Sequence, residues 1–257
     1  MSNLPGSRTP EVRLAMWSGP RNISTAMMRA WGNRPDTFVC DEPLYAHYLR
    51  ATGRNHPEAE AVIADGETDW QQAANWLTGP IPGGKTIFYQ KHMTHHLLPD
   101  MGRDWMEHLT HCFLIRDPQE VIASYLKKSH EPTVEDLGFV QQAGIFDWVK
   151  ARIGADPPTL DARDVQENPE GMLRALCRRL GLAFVPAMLS WEPGLRPTDG
   201  IWARHWYTEV ETSTGFRPPR AEPLAIPERL SAVHAECRAA YDRLYARRLT
   251  PAEELPQ

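Results

Sequence analysis

Five short apolar runs alternate with helix-forming stretches along the chain of 257 residues. Turn-forming residues bound each run, a pattern typical of strands that are buried on both faces of a parallel sheet. Such strands need crossover connections, so the sequence predicts an α/β fold in three layers, with a central, mostly parallel five-stranded sheet flanked by helices. Ligands bind at the edge where the carboxyl ends of such strands meet. The predicted strands are residues 14–18, 37–41, 86–90, 111–115 and 159–162.

The chain length suits one domain with a large core, and we expect a single domain over residues 1–257. Two stretches have the composition of insertions, namely the polar residues 51–69 and the Pro- and Gly-rich residues 191–223. Long connections of this kind are usually functional, so we expect them to form a lid or a substrate loop. Helices are predicted over residues 133–154, 169–181 and 226–248.

The bulk composition excludes some classes of partner. A net charge of −5 and a pI near 6.1 argue against a nucleic-acid partner. No apolar run is long enough to cross a bilayer, and residues 1–6 lack the apolar core of an export signal, so we expect a cytoplasmic protein without a membrane partner. The four cysteines are far apart and are expected to be buried free thiols. Nothing in the sequence indicates an oligomeric state.

The segment from residue 112 to 125 carries the first functional signal. Its apolar run ends at Arg116, and a helix start follows in which Asp117 is the predicted N-cap and Glu120 completes a capping box. Ser124 falls about two turns into that helix. Arginine offers a fork of donors and serine adds a hydroxyl, so Arg116 and Ser124 together suit a small dianion such as a phosphate. The alternative roles are an ion pair for Arg116 and a bond from Ser124 to its own helix.

A second segment predicts an anion cradle. Residues 13–18 form a predicted strand, residues 19–22 a turn and residues 23–31 a helix. The free N–H groups and positive dipole end of such a helix face the ligand. The Gly-Lys-Ser/Thr pattern of nucleotide triphosphatases does not occur here. The candidate ligand-binding residues are Gly19, Pro20, Arg21, Asn22, Ser24 and Thr25.

Together the two segments resemble the PAPS-dependent sulfotransferases, in particular the small bacterial type. Residues 20–25 match the loop that holds the 5′-phosphosulfate, and residues 116–125 match the 3′-phosphate site without a gap. The resemblance implies a P-loop-like fold and sulfuryl transfer from PAPS (3′-phosphoadenylyl sulfate) to a hydroxyl or amine of a small-molecule acceptor. It further implies that arginine and lysine replace a metal ion.

The resemblance also implies catalytic residues. Aligning residues 97–99 with the family's Leu-Leu-Pro puts His92 at the catalytic histidine, and a one-residue slip puts Lys91 at its lysine. His92 is a suitable base because its ordinary pKa lies near working pH. Glu42 is the rival base, since other branches of the family use a glutamate near this position. Lys91 is expected to neutralise the transferring group, and Arg21 to stabilise the leaving phosphate.

The rest of the nucleotide site is expected in the second insertion. Many family members close the site with an Arg-Lys-Gly loop, which this sequence lacks. Trp206, with Trp202 and Tyr207, has the ring area to stack on adenine, although the same spacing suits a helix packed on the core, and base rates favour the core. The nearest substitute for the missing loop comprises Ser213, Thr214, Gly215 and Arg217.

Two other functions fit parts of the sequence. A small-molecule kinase that uses ATP and Mg²⁺ is the first, because Asp117 after an apolar strand mimics a metal-binding acid. A non-catalytic nucleotide-binding module is the second, although such a module has no need of Lys91, His92 and Glu42. His95 and the following histidine lack a third ligand at usable spacing, so no metal site is expected.

Overall fold

The computed structural model describes residues 11–127, 131–220 and 225–251. Within these ranges five strands form one wholly parallel sheet in the order β2-β3-β1-β4-β5, which confirms the predicted α/β fold. The export-signal prediction for residues 1–6 and residues 221–223 of the second predicted insertion lie outside the described residues. The strands are β1 (Val12–Ser18), β2 (Thr37–Asp41), β3 (Ile87–Met93), β4 (Thr110–Ile115) and β5 (Thr159–Asp161).

Twelve α-helices connect and cover these strands within the described ranges. They are α1 (Ser24–Gly32), α2 (Tyr45–Thr52), α3 (Ala59–Asp65), α4 (Trp70–Thr78), α5 (Pro118–Tyr125), α6 (Val134–Leu137), α7 (Phe139–Ile153), α8 (Ala162–Glu167), α9 (Pro169–Arg179), α10 (Ala203–Trp206), α11 (Thr208–Glu211) and α12 (Ser231–Tyr245). Short 3-10 turns lie at Pro82–Gly84, Thr94–His96, Asp104–His108, Pro186–Leu189 and Glu228–Leu230.

Two hydrophobic clusters make the three layers. Helices α4, α5, α7 and α12 pack on the sheet face that carries Phe88 and Phe113. Helices α1, α2 and α9 pack on the opposite face, which carries Met16 and Tyr89. The strands are therefore mostly apolar on both faces, as the apolar runs predict, apart from the buried polar residues Gln90, Lys91 and His92 of β3. No helix in the described ranges is both long and apolar enough to cross a membrane.

Strand β3 extends past its predicted end at residue 90. Its pairing with β1 continues through Met16–Lys91 and Trp17–His92 to residue 93. Lys91 and His92 were predicted to follow the strand, but both lie inside it. Successive side chains of a strand point to opposite faces, so these two residues face different layers of the fold.

The helix predicted over residues 133–154 is broken into α6 and α7. Gly138 separates them with a φ of 70°, a conformation that favours glycine. A Cβ at this position would lie 2.6 Å from the hydroxyl oxygen of Thr94, and Thr94 also donates a hydrogen bond to the Gly138 carbonyl. The break therefore lets the chain approach the 3-10 turn Thr94–His96, which lies beside the ligand-binding edge of the sheet.

The second predicted insertion is folded against the core. Trp191, Trp202 and Tyr207 are buried in the cluster that contains α1 and α2. Asp199 forms a two-pronged ion pair with Arg29 of α1, at 2.5 and 2.6 Å, and both side chains are buried. This segment forms a fixed wall beside the carboxyl edge of the sheet.

Candidate active site

A cleft of about 460 Å³ lies at the carboxyl edge of the sheet. It is bounded by the β1–α1 loop, the start of α2, the end of β3, helix α5 and the wall formed by residues 206–220. Of the predicted site residues, those that line it are Pro20, Arg21, Asn22, Ser24, Thr25, Glu42, Lys91, Arg116, Ser124, Trp206, Ser213, Gly215 and Arg217. Three predicted residues, Gly19, His92 and Thr214, are not among the lining residues.

The β1–α1 loop presents the start of α1 to this cleft. Within the described residues, the N-cap Ile23 makes no side-chain capping bond, so the first N–H groups of α1 remain available to a ligand. Asn22 fixes the loop to the sheet, because its amide donates to the carbonyl oxygen of Leu114 at 2.9 Å. Arg21 has a φ of 55°, a strained conformation for a residue with a side chain. The loop thus has the open N–H groups that the sequence predicts for an anion cradle.

Gly19 has a structural reason to be glycine. A Cβ at this position would lie 2.7 Å from the carbonyl oxygen of Leu137 at the end of α6. Any larger residue would push the β1–α1 loop away from α6. Gly19 therefore shapes the loop from behind and does not line the cleft itself.

Two arginines and a serine meet in the cleft. The Arg21 Nε atom donates to the Ser124 hydroxyl at 3.1 Å, and Arg116 donates to the Arg21 carbonyl at 2.8 Å. Burial lowers the pKa of Arg21, and the nearby charge of Arg116 lowers it further. Glu209 acts in the opposite direction on that pKa. Two guanidinium groups held this close favour an anion between or beside them.

The helix start at residue 117 differs from its prediction. The Asp117 carboxylate caps α5 by accepting from the Gln119 N–H, as expected, and also receives two bonds from Arg238. Glu120 does not complete a capping box. Instead it accepts from Arg116 at 3.0 Å and from Arg163 at 2.7 Å, because these guanidinium groups offer stronger partners than the backbone.

A buried charged cluster forms the floor of the cleft. The Lys91 ammonium donates to Asp41 at 2.8 Å, to Glu42 at 2.5 Å and to the Tyr207 hydroxyl at 2.6 Å. Burial by itself lowers the pKa of Lys91, but the two carboxylates outweigh it and raise that pKa well above its ordinary value. Burial also raises the pKa of Glu42, an effect that Lys91 opposes. Glu42 has a φ of 43°, so the turn that aims it into the cleft is strained.

His92 lies on the other face of the sheet from Lys91. Its ring stacks on Trp17 with centroids 4.4 Å apart and lies near Trp105 at 6.2 Å. Its Nε2 atom is 3.2 Å from the Gln90 side-chain oxygen, and the residue is 1 % exposed. The alignment on residues 97–99 missed the strand alternation, which brings Met93 and not His92 to the face of Lys91. The structure therefore does not bring His92 to the cleft.

Buried neutral histidines are expected to make the fold sensitive to acid. Burial lowers the pKa of His92 and His95 to about 3 and that of His111 to about 4. The unfolded chain takes up these protons below about pH 6.5 and the folded chain does not, so stability falls as the pH falls through this window. Between roughly pH 6 and pH 4, each of these histidines is expected to lower the free energy of unfolding by about 1.4 kcal/mol for each pH unit of acidification. Urea unfolding over this range measures the effect, and a flat profile contradicts it.

The wall from residue 206 to 220 matches its prediction in part. Trp206 lines the cleft and is partly buried, whereas Trp202 is a core residue. Tyr207 belongs to the same core cluster and also lines the cleft. Ser213 reaches the cleft, but its hydroxyl is already engaged, since it accepts from Trp191 at 3.1 Å and donates to the Val210 carbonyl at 2.7 Å. Arg217 donates to the hydroxyl of Thr212 at 2.9 Å. Trp206 and Arg217 are therefore the better placed ligand contacts on this wall.

Several lining residues were not predicted. Tyr45 and Tyr48 face the cleft from α2, and His56 lines it from the segment after α2. His95 and His96 line it from the 3-10 turn after β3. The two tyrosines are one helical turn apart directly after Glu42, which is a weak sequence signal for a shared face. In the sequence, the histidine pair suggests only metal ligands. Within the described residues, no group of three or more His, Cys, Asp or Glu side chains is arranged to hold a metal ion.

Comparison with known proteins gives a family match over most of the chain. The sequence profile of the sulfotransferase domain matches residues 12–247. Branched-chain-amino-acid aminotransferase-like protein 1 of Arabidopsis thaliana is 36 % identical over 219 residues, which make up 85 % of this chain and 39 % of the plant protein. The chain thus spans well under half the length of this curated relative.

Solved structures agree with the fold. The sulfotransferase domain of the Synechococcus PCC 7002 olefin synthase superposes with a TM-score of 0.51 at 14 % identity, covering 98 % of each chain. A sulfotransferase from Alicyclobacillus acidocaldarius gives a TM-score of 0.50 at 13 % identity, covering 94 % of this chain and 98 % of its own. At these identities the superpositions bear on the fold alone.

Proposed function

Since the chain belongs to the sulfotransferase domain family, as its match over residues 12–247 establishes, we propose that it transfers a sulfuryl group from PAPS to a hydroxyl or amine of a small-molecule acceptor. The products are the sulfated acceptor and adenosine 3′,5′-bisphosphate. One observation carries the proposal: Arg21, Arg116 and Ser124 meet in a single cleft beside the uncapped start of α1. A donor that carries a 3′-phosphate and a 5′-phosphosulfate on one ribose suits this arrangement, because it can contact the two arginines and the start of α1 together.

The two phosphate groups are assigned to different parts of the cleft. The 5′-phosphosulfate is proposed to bind the start of α1, with Arg21, Ser24 and Thr25 around it, because open N–H groups and a helix dipole stabilise an anion there. The 3′-phosphate is proposed to bind Arg116 and Ser124. Because Arg21 donates directly to Ser124, the two proposed phosphate sites adjoin, which supports a single donor molecule that contacts both.

Sulfuryl transfer requires that negative charge on the leaving phosphate oxygen be stabilised and that the acceptor lose a proton. Arg21 is proposed for the first task, because its guanidinium lies at the start of α1. Of the two predicted bases, Glu42 lines the cleft and His92 does not. We therefore assign proton removal to the side of the cleft formed by Glu42. Lys91 holds the Glu42 carboxylate in place at 2.5 Å.

The kinase alternative has less support. It requires the Asp117 carboxylate as a metal ligand, but that carboxylate caps α5 and binds Arg238, and it is not among the residues that line the cleft. Calorimetry with ATP, with and without Mg²⁺, beside adenosine 3′,5′-bisphosphate separates the two functions. Tighter binding of ATP that depends on Mg²⁺ would favour the kinase.

Replacing Arg116 by alanine is expected to abolish most of the preference for adenosine 3′,5′-bisphosphate over 5′-AMP. Losing a charged hydrogen bond costs about 1.5–3 kcal/mol, which is roughly ten- to a hundredfold in affinity. Isothermal titration calorimetry of wild type and variant with both nucleotides measures this preference. Equal wild-type affinity for the two nucleotides would exclude the 3′-phosphate site.

Arg163→Ala is the matched control for Arg116→Ala. Arg163 also binds Glu120, at 2.7 Å, but it is 43 % exposed at its side chain and is not among the residues that line the cleft. Its replacement tests whether loosening Glu120 alone alters nucleotide binding. We expect the control to keep the wild-type preference within about twofold, a change of less than about 0.5 kcal/mol.

A further inference from the structure

One side of the cleft is an aromatic pocket that the donor assignment does not use. We define this aromatic pocket as Tyr45, Tyr48, His56, His95 and His96, all of which line the cleft. The His96 ring lies 4.7 Å from the ring of Tyr45 at 5° and 4.7 Å from that of Tyr48 at 29°. These contacts hold His96 in one orientation. The pocket lies on the same side of the cleft as Glu42.

The two nitrogens of His96 have different surroundings. Nδ1 is buried and makes no hydrogen bond within the described part of the chain. It faces the Glu42 Oε2 atom at 4.0 Å, about 1 Å beyond a hydrogen bond. Nε2 has no bonding partner among the described residues, and His96 lines the cleft, so Nε2 is the nitrogen left for a ligand there.

We propose that His96, oriented by Glu42, accepts the proton of the acceptor hydroxyl during transfer. The inference rests on the proposed sulfuryl transfer and assigns the base for it. Glu42 becomes a positioning residue that receives a bond from Nδ1–H after a small closing movement, which leaves Nε2 unprotonated toward the acceptor. An imidazole placed beside a carboxylate in this way is a common arrangement for a general base.

The charges around His96 keep it neutral before the reaction. Burial lowers the pKa of His96 well below its ordinary value, and the neighbouring groups His95, His56, Lys91 and His92 lower it further. The His96 ring is therefore neutral at neutral pH. With its proton on Nδ1, which faces the Glu42 Oε2 atom at 4.0 Å, the lone pair lies on Nε2.

The proposed step transfers one sulfuryl group and one proton. A lone pair of the acceptor hydroxyl forms a bond to the PAPS sulfur, and the bond from sulfur to the bridging oxygen breaks with its electron pair on the leaving phosphate. The hydroxyl proton moves to His96 Nε2, which gives an imidazolium ion beside the Glu42 carboxylate. The sulfate ester and adenosine 3′,5′-bisphosphate leave, and the proton passes to solvent once the cleft opens.

His96→Gln is expected to lower turnover by roughly a hundred- to ten-thousandfold while affinity for adenosine 3′,5′-bisphosphate stays within about twofold. Ethanol, trifluoroethanol, phenol and 4-nitrophenol serve as acceptors with labelled PAPS. Added imidazole is expected to restore part of the activity of His96→Ala, which a structural role does not explain. The matched control is His92→Gln, because His92 stacks on Trp17 on the other face of the sheet and is not among the residues that line the cleft. Near-normal turnover of His96→Gln, or an equal loss in His92→Gln, overturns the proposal.

A second measurement needs no acceptor. Nitrogen-15 NMR of the histidine rings, with the protein saturated with adenosine 3′,5′-bisphosphate, is expected to show His96 protonated at Nδ1, and Glu42→Gln is expected to reduce that form. The proposal is overturned if His96 is protonated at Nε2, or if Glu42→Gln does not change which His96 nitrogen carries the proton. Either result holds even if no acceptor reacts. Failure of the wild type to bind the nucleotide would instead refute the proposed function, so the two failures are distinguishable.

Discussion

Arg21→Ala is expected to reduce turnover by roughly a hundred- to a thousandfold, the usual effect of removing one donor that stabilises charge in a transition state. Arg21 lies beside the start of α1 and bonds to Ser124 at 3.1 Å, so its guanidinium is held near the proposed leaving group. Charge grows on the bridging oxygen only as the bond to sulfur breaks. Turnover is therefore expected to fall more than affinity for adenosine 3′,5′-bisphosphate.

Two variants control for other effects of the Arg21 change. Alanine has the same difficulty as arginine at a φ of 55°, so the substitution adds no new backbone strain. Arg21→Lys keeps the charge but loses the fork of donors, and an intermediate rate is expected. Arg220→Ala removes a different arginine that lines the cleft, so it tests whether the loss of any positive charge there lowers turnover as much as Arg21→Ala does. Single-turnover kinetics and calorimetry measure rate and affinity separately, and turnover of Arg21→Ala within about twofold of wild type would make Arg21 a bystander.

The parts of the site that depend on short-range spacing could be predicted from the sequence. The β1–α1 loop with Arg21 and the β4–α5 junction with Arg116 and Ser124 are each continuous over about ten residues. In both, a strand end, a turn and a helix start fix where side chains point. The parallel order of the strands then brings the two segments together, as the direct bond from Arg21 to Ser124 illustrates.

The position of His92 could not be predicted in the same way, because strand parity decides which face of the sheet it occupies. Pairing with β1 carries β3 through residue 93, so a shift of one residue moves a side chain to the other face of the sheet. A motif alignment that tolerates a one-residue slip cannot detect this. His92 consequently lies beside Trp17, 4.4 Å away between ring centroids, while Lys91 and Met93 face the cleft.

The aromatic pocket depends on tertiary contacts that no local pattern encodes. Tyr45 and Tyr48 belong to α2, whereas His96 lies in the 3-10 turn after β3, about fifty residues later in the chain. The break at Gly138 lets α6 and α7 pack against that 3-10 turn. Ser213 also depends on tertiary contacts. It lines the cleft, but Trp191 and the Val210 carbonyl already engage its hydroxyl.

Asp199→Asn is expected to lower the free energy of unfolding by about 3–5 kcal/mol, because it leaves the Arg29 guanidinium buried without a counter-charge. The pair is bidentate at 2.5 and 2.6 Å, with side chains only 1 % and 2 % exposed. Asp199 lies just before the wall of residues 206–220 and joins this part of the second predicted insertion to α1, the helix whose start forms the anion cradle. The loss is therefore expected to loosen that wall as well as to destabilise the fold.

Urea unfolding of three variants tests why Asp199 matters. Glu170→Gln breaks an exposed pair with Arg174, about half exposed on each side, and is expected to cost less than about 1 kcal/mol. The double variant Arg29→Met with Asp199→Leu removes both charges and is expected to recover most of the stability lost in Asp199→Asn, since the cost arises from an unpaired buried charge. A double variant as unstable as the single one would mean that the bond from Arg196 N–H to Asp199, at 2.8 Å, and not the charge pair, holds the wall. If Glu170→Gln lowered the free energy of unfolding by as much as Asp199→Asn, burial of the ion pair would not determine the cost of breaking it.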